Sequence, residues 1–355
     1  MFRDINHQVL YTDAAFKEYG DSFGYLLAQV PYHRSSRFLP SFLMGMTPEW
    51  RGWYSSSWVK KHLSEKFSSV YAFIYSTECM KYAHWVAKKR KIPIIVHLAD
   101  HSPEFEHSPS KKILHSANKI VCITEEMKSM YEQTIGRKDI EVLHNGAEQT
   151  CSEIPPLKVE TFSEQNPFVL SFIGGLFSHL HGDCIEDLFE AVSQIRKKNP
   201  WIEFHLYGQR QPAHFLEDSI HSDGCKHHGI VMPLERKFEI MEKAHCFVIP
   251  SSFNNHKHRH YRYSFPTKLP ELIASGRPIL SYGPKETATN RILQANNIGL
   301  RIHERSVAKL VENLENLGSK YKESSKNFST ACPTILKKFS ADCVRRKLKN
   351  ILFFK

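Results

Sequence analysis

Apolar residues fall into two alternating rhythms along the chain. Near-continuous apolar runs read as strands: HQVLYT (7–12), VYAFIYS (70–76), IPIIVHL (92–98), NKIVCIT (118–124) and DIEVLHNG (139–146). Stretches with helical spacing at 57–67, 78–91 and 125–135 separate most of them. Strands this apolar, set between amphipathic helices, predict a parallel sheet covered on both faces. Residues 149–167, QTCSEIPPLKVETFSEQNP, hold three prolines and no period, which suits a linker.

The alternation then restarts. FVLSFIGG (168–175) is a strand ending in two glycines, and Ile185, Leu188, Phe189, Val192 and Ile195 follow helical spacing. Strands are predicted at IEFHLYG (202–208), GIVMP (229–233), CFVIPSS (246–252), PILSY (278–282) and IGLRI (298–302), with helices at 234–243 and 286–295. The fold class expected is α/β, with two doubly wound domains. Their bounds are 1–150 and 168–338, with a linker at 151–167 and a terminal helix at 339–355. Residues 31–58, rich in aromatics and holding three arginines, have no period and read as a long surface excursion.

SFPTKLPELIASGRPIL (264–280) changes the picture from fold to chemistry. Proline is tolerated in a first helical turn, so a short helix is predicted from Thr267–Lys268, stopped by Gly276 and Pro278. Its start offers amides to an anion, Lys268 adds a full positive charge, and Glu271 one turn on can accept from a vicinal diol. Phosphate plus ribose means a nucleotide. The bland alternative is a surface ion pair between Lys268 and Glu271 at i, i+3. Gly174 and Gly175, between a strand and a helix, let backbone approach a phosphate, or simply make a tight turn.

These motifs together resemble the GT-B glycosyltransferases, in particular the large retaining group that uses nucleotide sugars. The similarity is clearest from 168 to 303: the Gly-Gly bend, the strand ending Pro250-Ser251, and Ser-Phe-Pro-Thr-Lys-x-x-Glu-x-x-Ala-Ser-Gly-x-Pro. CITEEMKSMYEQTIGRKDIEVLHNGAE is similar to the segment that precedes the family's linker, and fainter similarity runs back to about residue 70. The resemblance implies two Rossmann-like domains facing across a cleft, the first for the acceptor and the second for the donor. It implies Glu271 on the ribose, Lys268, Thr267 and the Gly174–Gly175 amides around the diphosphate, and the base near Val231–Leu234. It also implies a reaction without a protein nucleophile and without a required metal; the chain holds no Asp-x-Asp.

Three positions depart from the family pattern. Tyr263 stands eight before Glu271, where a carboxylate is common; Gly175 and His181 stand where an arginine and a lysine are common. HKHRHYRY (256–263), with Arg259 and Arg262, is the expected replacement for that charge, read here as a solvated basic loop. The chain also begins at what resembles the family's second strand, so the first βα unit is expected to be missing. On the acceptor side, Asp100 and His101 follow the strand ending at Leu98 and are the candidate catalytic groups beside Lys268. His97, within that strand, reads as a buried histidine.

Composition adds bounds. The chain has 355 residues and a net charge of +11, balanced as +1 over 1–165 and +10 over 166–355. A basic second half calls for an anionic partner. No apolar run approaches the ~18 residues of a membrane span, and the N-terminus lacks a secretory signal, so a cytoplasmic protein is expected. Eight cysteines without a C-x-x-C pair read as buried thiols.

The partners expected are a nucleotide sugar and a carbohydrate or lipid-linked acceptor, with no nucleic acid; the product would be a surface polysaccharide or glycolipid. The tail FSADCVRRKLKNILFFK (339–355) is amphipathic, and either packs across the two domains or lies on anionic lipid at the inner membrane face. The competing functions are a non-enzymatic polyanion or nucleic-acid binder and a GT-B scaffold that has lost its activity.

Overall fold

The computed structural model describes residues 10–11, 28–29, 69–74, 77–148, 157, 161–217, 222–231, 234–254 and 258–352. The predicted helix at 57–67 and the excursion at 31–58 lie outside these residues. The chain has the α/β fold expected of GT-B proteins, built from parallel sheets.

Strands β1 (Leu10–Tyr11) and β2 (Ala28–Gln29) pair in parallel. A second sheet runs in chain order: β3 (Val70–Ile74), β4 (Ile94–Leu98), β5 (Lys119–Cys122) and β6 (Ile140–Val142). Every side chain of β4 is buried, as its apolar run requires. Helices Thr77–Arg90 and Glu125–Ile135 stand close to their predicted bounds. A 3-10 turn, Pro103–Glu106, and the helix Ser110–Ser116 fill the 98–118 interval, which showed no pattern in the sequence.

The second sheet system begins with β7 (Phe168–Ile173), β8 (Leu176–Phe177), β9 (Ile202–Tyr207), β10 (Arg210–Gln211) and β11 (Cys225–His227). It continues with β12 (Cys246–Pro250), β13 (Ile279–Tyr282) and β14 (Leu300–Ile302). Six of these form one sheet in the order β11-β9-β7-β12-β13-β14, while β8 and β10 make a separate parallel pair. Numbered within the sheet, the order is 3-2-1-4-5-6, the doubly wound arrangement that reverses direction between β7 and β12.

The helix Ser178–Lys198 lays Ile185, Leu188, Val192 and Ile195 against Phe168, Leu170, Phe204 and Leu206, all buried. Each such side chain contributes about 1.5–3 kcal/mol of burial.

Two predicted elements are corrected. The strand expected at 229–233 lies earlier, at Cys225–His227: Gly229 turns the chain at φ +70° and ends it. The basic loop at 256–263 contains a helix, His258–Tyr263.

By compactness the chain divides into two units. One comprises Met1–Val121, Tyr131–Glu141 and Lys349–Lys355; the other comprises Cys122–Met130 and Val142–Leu348. The tail forms the helix Ala341–Leu352, whose Val344, Leu348 and Ile351 are buried. Its apolar face is thus already packed against protein. Among the described residues no helix is long and apolar enough to cross a membrane. Five of the six described cysteines are buried thiols.

Candidate functional site

In a doubly wound sheet, ligands bind beyond the carboxyl ends of the strands where the order reverses. Here that point is flanked by Gly174, which follows β7, and Ser251, which follows β12. The chain at this edge is stitched tightly. Asp183, in the first turns of the helix Ser178–Lys198, accepts the Phe253 amide at 2.9 Å and the Cys184 amide at 3.0 Å. Leu180 O accepts the Ser252 amide at 3.2 Å and the Tyr261 hydroxyl. The helix start and the segment after β12 are therefore held as one rim.

The glycine bend is a backbone-on-backbone contact. A Cβ added to Gly208, at φ +152°, would lie 1.6 Å from Gly174 O, so no side chain fits there. The Gly174 amide donates to Tyr207 O at 2.8 Å and the Leu176 amide to Gln209 O at 2.9 Å. The Gly174 N–H is thus taken by Tyr207 O, and the expectation of amides at a phosphate passes to Gly175. His181, at the family's lysine position, sits against Phe172 and Phe177, at 5.6 and 6.3 Å between ring centroids.

The short helix is Leu269–Ala274, with Pro270 in its first turn and Gly276 at φ +69° after its end. Its first amide, Leu269, already donates to Pro266 O at 2.9 Å, so fixed charge matters more here than free amides. Lys268 is half-buried. Its Nζ lies 3.6 Å from the position a Cβ would take on Gly174. Burial lowers its pKa, a neighbouring Lys237 lowers it further, and Glu271 opposes both. The sequence motifs at 174 and 268 therefore meet in space.

Glu271 is not paired with Lys268. Its Oε2 accepts from Lys237 Nζ at 2.5 Å, with the two side chains 30% and 15% exposed. Lys237 comes from the helix Leu234–Lys243 and was not singled out in the sequence. Thirty-four positions separate it from Glu271, so no local spacing could have revealed it.

The remaining expected donor residues are less gathered. Thr267 is exposed. Arg262 is exposed with its guanidinium 5.7 Å from the Tyr263 ring centroid, and its carbonyl accepts from Arg291. The Tyr263 carbonyl accepts the Thr124 hydroxyl at 2.7 Å. The side chain of Arg259 lies outside the described residues. Of the segment expected to face a base, Val231 is half-buried, and next to it Ile230 is 62% exposed.

In the other unit, Asp100 is half-buried on the bend after β4. His101 is buried, with Nδ1 3.4 Å from the Tyr131 hydroxyl and Nε2 3.5 Å from Glu106 Oε1. His97 is fully buried beside Phe73 and hydrogen-bonds the Tyr71 hydroxyl at 2.5 Å, as a core histidine should.

Residues 167–320 match the family model described as Glycosyl transferases group 1. No curated protein matches the chain in sequence. Among solved structures, Anabaena Alr3699/HepE in complex with UDP-glucose shares 15% identity over 83% of this chain and 81% of its own, with a TM-score of 0.62. The lipopolysaccharide outer core galactosyltransferase WaaB shares 16% identity over 95% and 86%, at 0.59. Sucrose-phosphate synthase from Thermosynechococcus elongatus shares 12% over 90% and 78%, at 0.60.

Proposed function

We propose that this chain, a glycosyltransferase with the GT-B fold that matches the group 1 family over residues 167–320, moves a sugar from a nucleotide-sugar donor to an acceptor. The observation that carries the reading is the meeting of Lys268 with the Gly174 bend at the reversal point of the sheet, one turn from Glu271. A diphosphate beside Lys268 and a ribose on Glu271 satisfy a cation and a carboxylate three residues apart. UDP-glucose bound to a protein of this fold supports the same donor class.

Transfer builds negative charge on the departing diphosphate while the sugar becomes cation-like. Lys268 stabilises that charge, aided by the Gly175 amide, in a half-buried setting where a fixed charge acts strongly. In this reading the anomeric configuration is retained, and the leaving phosphate helps to deprotonate the acceptor hydroxyl. Asp100 is the better placed of the two acceptor-side candidates, because His101 is buried against Tyr131 and Glu106. The acceptor is a carbohydrate or lipid-linked carbohydrate, the product a surface polysaccharide or glycolipid made on the cytoplasmic side.

A thermal-shift screen against UDP-, GDP-, ADP- and CMP-sugars tests the reading. One of them at 100 times its Kd should add about 2.7 kcal/mol of stability. Lys268→Met should lower turnover about 10²-fold, on the analogy of a lost oxyanion donor. Absence of any shift, or full activity in Lys268→Met, would remove the proposal. Binding without turnover would favour an inactive scaffold, for which Tyr263 at the carboxylate position is the motive.

A further inference from the structure

Lys237 was marked by no sequence motif, and it pairs with the carboxylate on which ribose recognition depends. We infer that Lys237 is a positioning residue that sets Glu271 to select a ribose diol, and so makes the site discriminate ribonucleotides from deoxyribonucleotides. The inference rests on the donor-site reading above.

A carboxylate one turn into a short helix can swing among several rotamers, and each swing moves its oxygens by ångströms. Lys237 removes that freedom by taking Oε2 at 2.5 Å. Oε1 makes no other hydrogen bond among the described residues and remains the acceptor for a ligand hydroxyl. The pairing is itself held rigidly. Arg277 directly follows Gly276, at the end of the Glu271 helix, and is 2% exposed. Its guanidinium donates to Met241 O at 3.4 Å and to Glu242 O at 3.2 Å, in the last turn of the Lys237 helix. The two helices are thus tied twice, once through side chains facing the site and once through buried backbone carbonyls.

The pairing also divides the charges. Had Lys268 satisfied Glu271, as the i, i+3 spacing allows, its ammonium would be drawn away from Gly174. With Lys237 on Glu271, the Lys268 ammonium stays at the bend, 3.6 Å from the Gly174 Cβ position. The cluster then carries one net positive charge, placed for the phosphates, and a neutralised carboxylate that does not repel them.

The test compares affinities for UDP, GDP, ADP and CDP with those for their 2′-deoxy forms, by calorimetry on the full chain. Wild type should bind one ribonucleoside diphosphate at least about tenfold more tightly than its deoxy form, the loss expected when a charged acceptor loses its donor. In Lys237→Met that ratio should fall towards one, and Lys237→Arg should restore most of it. A merely structural role would weaken both ligands alike and leave the ratio unchanged. If Lys237→Met does not fold, Lys237→Gln serves the same comparison. A preserved ratio in the folded variant overturns the inference while the donor site stands. Wild type that binds a diphosphate without discrimination overturns the ribose role of Glu271, and with it the inference. Wild type that binds none of the four overturns both readings.

Discussion

His245 accepts the Val169 amide on Nδ1 at 3.0 Å and lies among Phe162, Phe168 and Tyr321. Burial, with the positive Arg277 nearby, pushes its pKa down to about 4. The folded state therefore favours the neutral ring, while the unfolded chain takes a proton near pH 6.5. The contribution is complete above pH 6.5 and is lost as pH falls through 4, up to about 3 kcal/mol. Urea denaturation from pH 7 to 4.5 should show this loss, and the slope should flatten in His245→Asn, whose Oδ1 can still accept the amide. An unchanged slope would place the pH dependence elsewhere. At this scale the sequence was legible where one residue type answers a backbone need, as Gly276 does at φ +69°. It was silent on Lys237, because the partner that gives this lysine meaning is remote in the chain.

Among elements, the helix Ser178–Lys198 and the segment after β12 owe their register to Asp183. Asp183→Ala leaves the Phe253 amide without its acceptor and should cost about 1–3 kcal/mol in chemical denaturation. It should also weaken donor binding by loosening the rim beside Gly174. A variant as stable as wild type would mean that the loop finds its own partners. Strands buried on both faces, such as β7 and β12, were readable as apolar runs. β11 was not: it is an edge strand with one buried residue, so burial left no signature in its sequence. The helix His258–Tyr263 was also missed, since histidines alternating with lysine and arginine carry no apolar period.

For the molecule as a whole, the 3-2-1-4-5-6 order identifies where ligand chemistry belongs before any side chain is considered. The terminal helix illustrates an ambiguity that sequence leaves open, because an amphipathic pattern reports an apolar face and not what covers it. Its Val344, Leu348 and Ile351 are buried, and the Ala341 amide donates to Ala147 O at 2.8 Å. Removing residues 341–355 should therefore destabilise the protein by at least about 4 kcal/mol in denaturant titration, from lost burial alone. If the truncated chain keeps full stability but loses affinity for anionic vesicles, the helix serves the membrane instead.

The contact of Gly208 with Gly174 O restricts how this protein can change over time. Because a Cβ on Gly208 would strike the Gly174 carbonyl, position 208 cannot be varied to alter donor preference in the proposed reading. Any shift in sugar or base preference must arise in bordering segments that have room for new side chains, such as the exposed stretch at Ile230. A library built to retarget the enzyme would do well to spare the bend and randomise its neighbours.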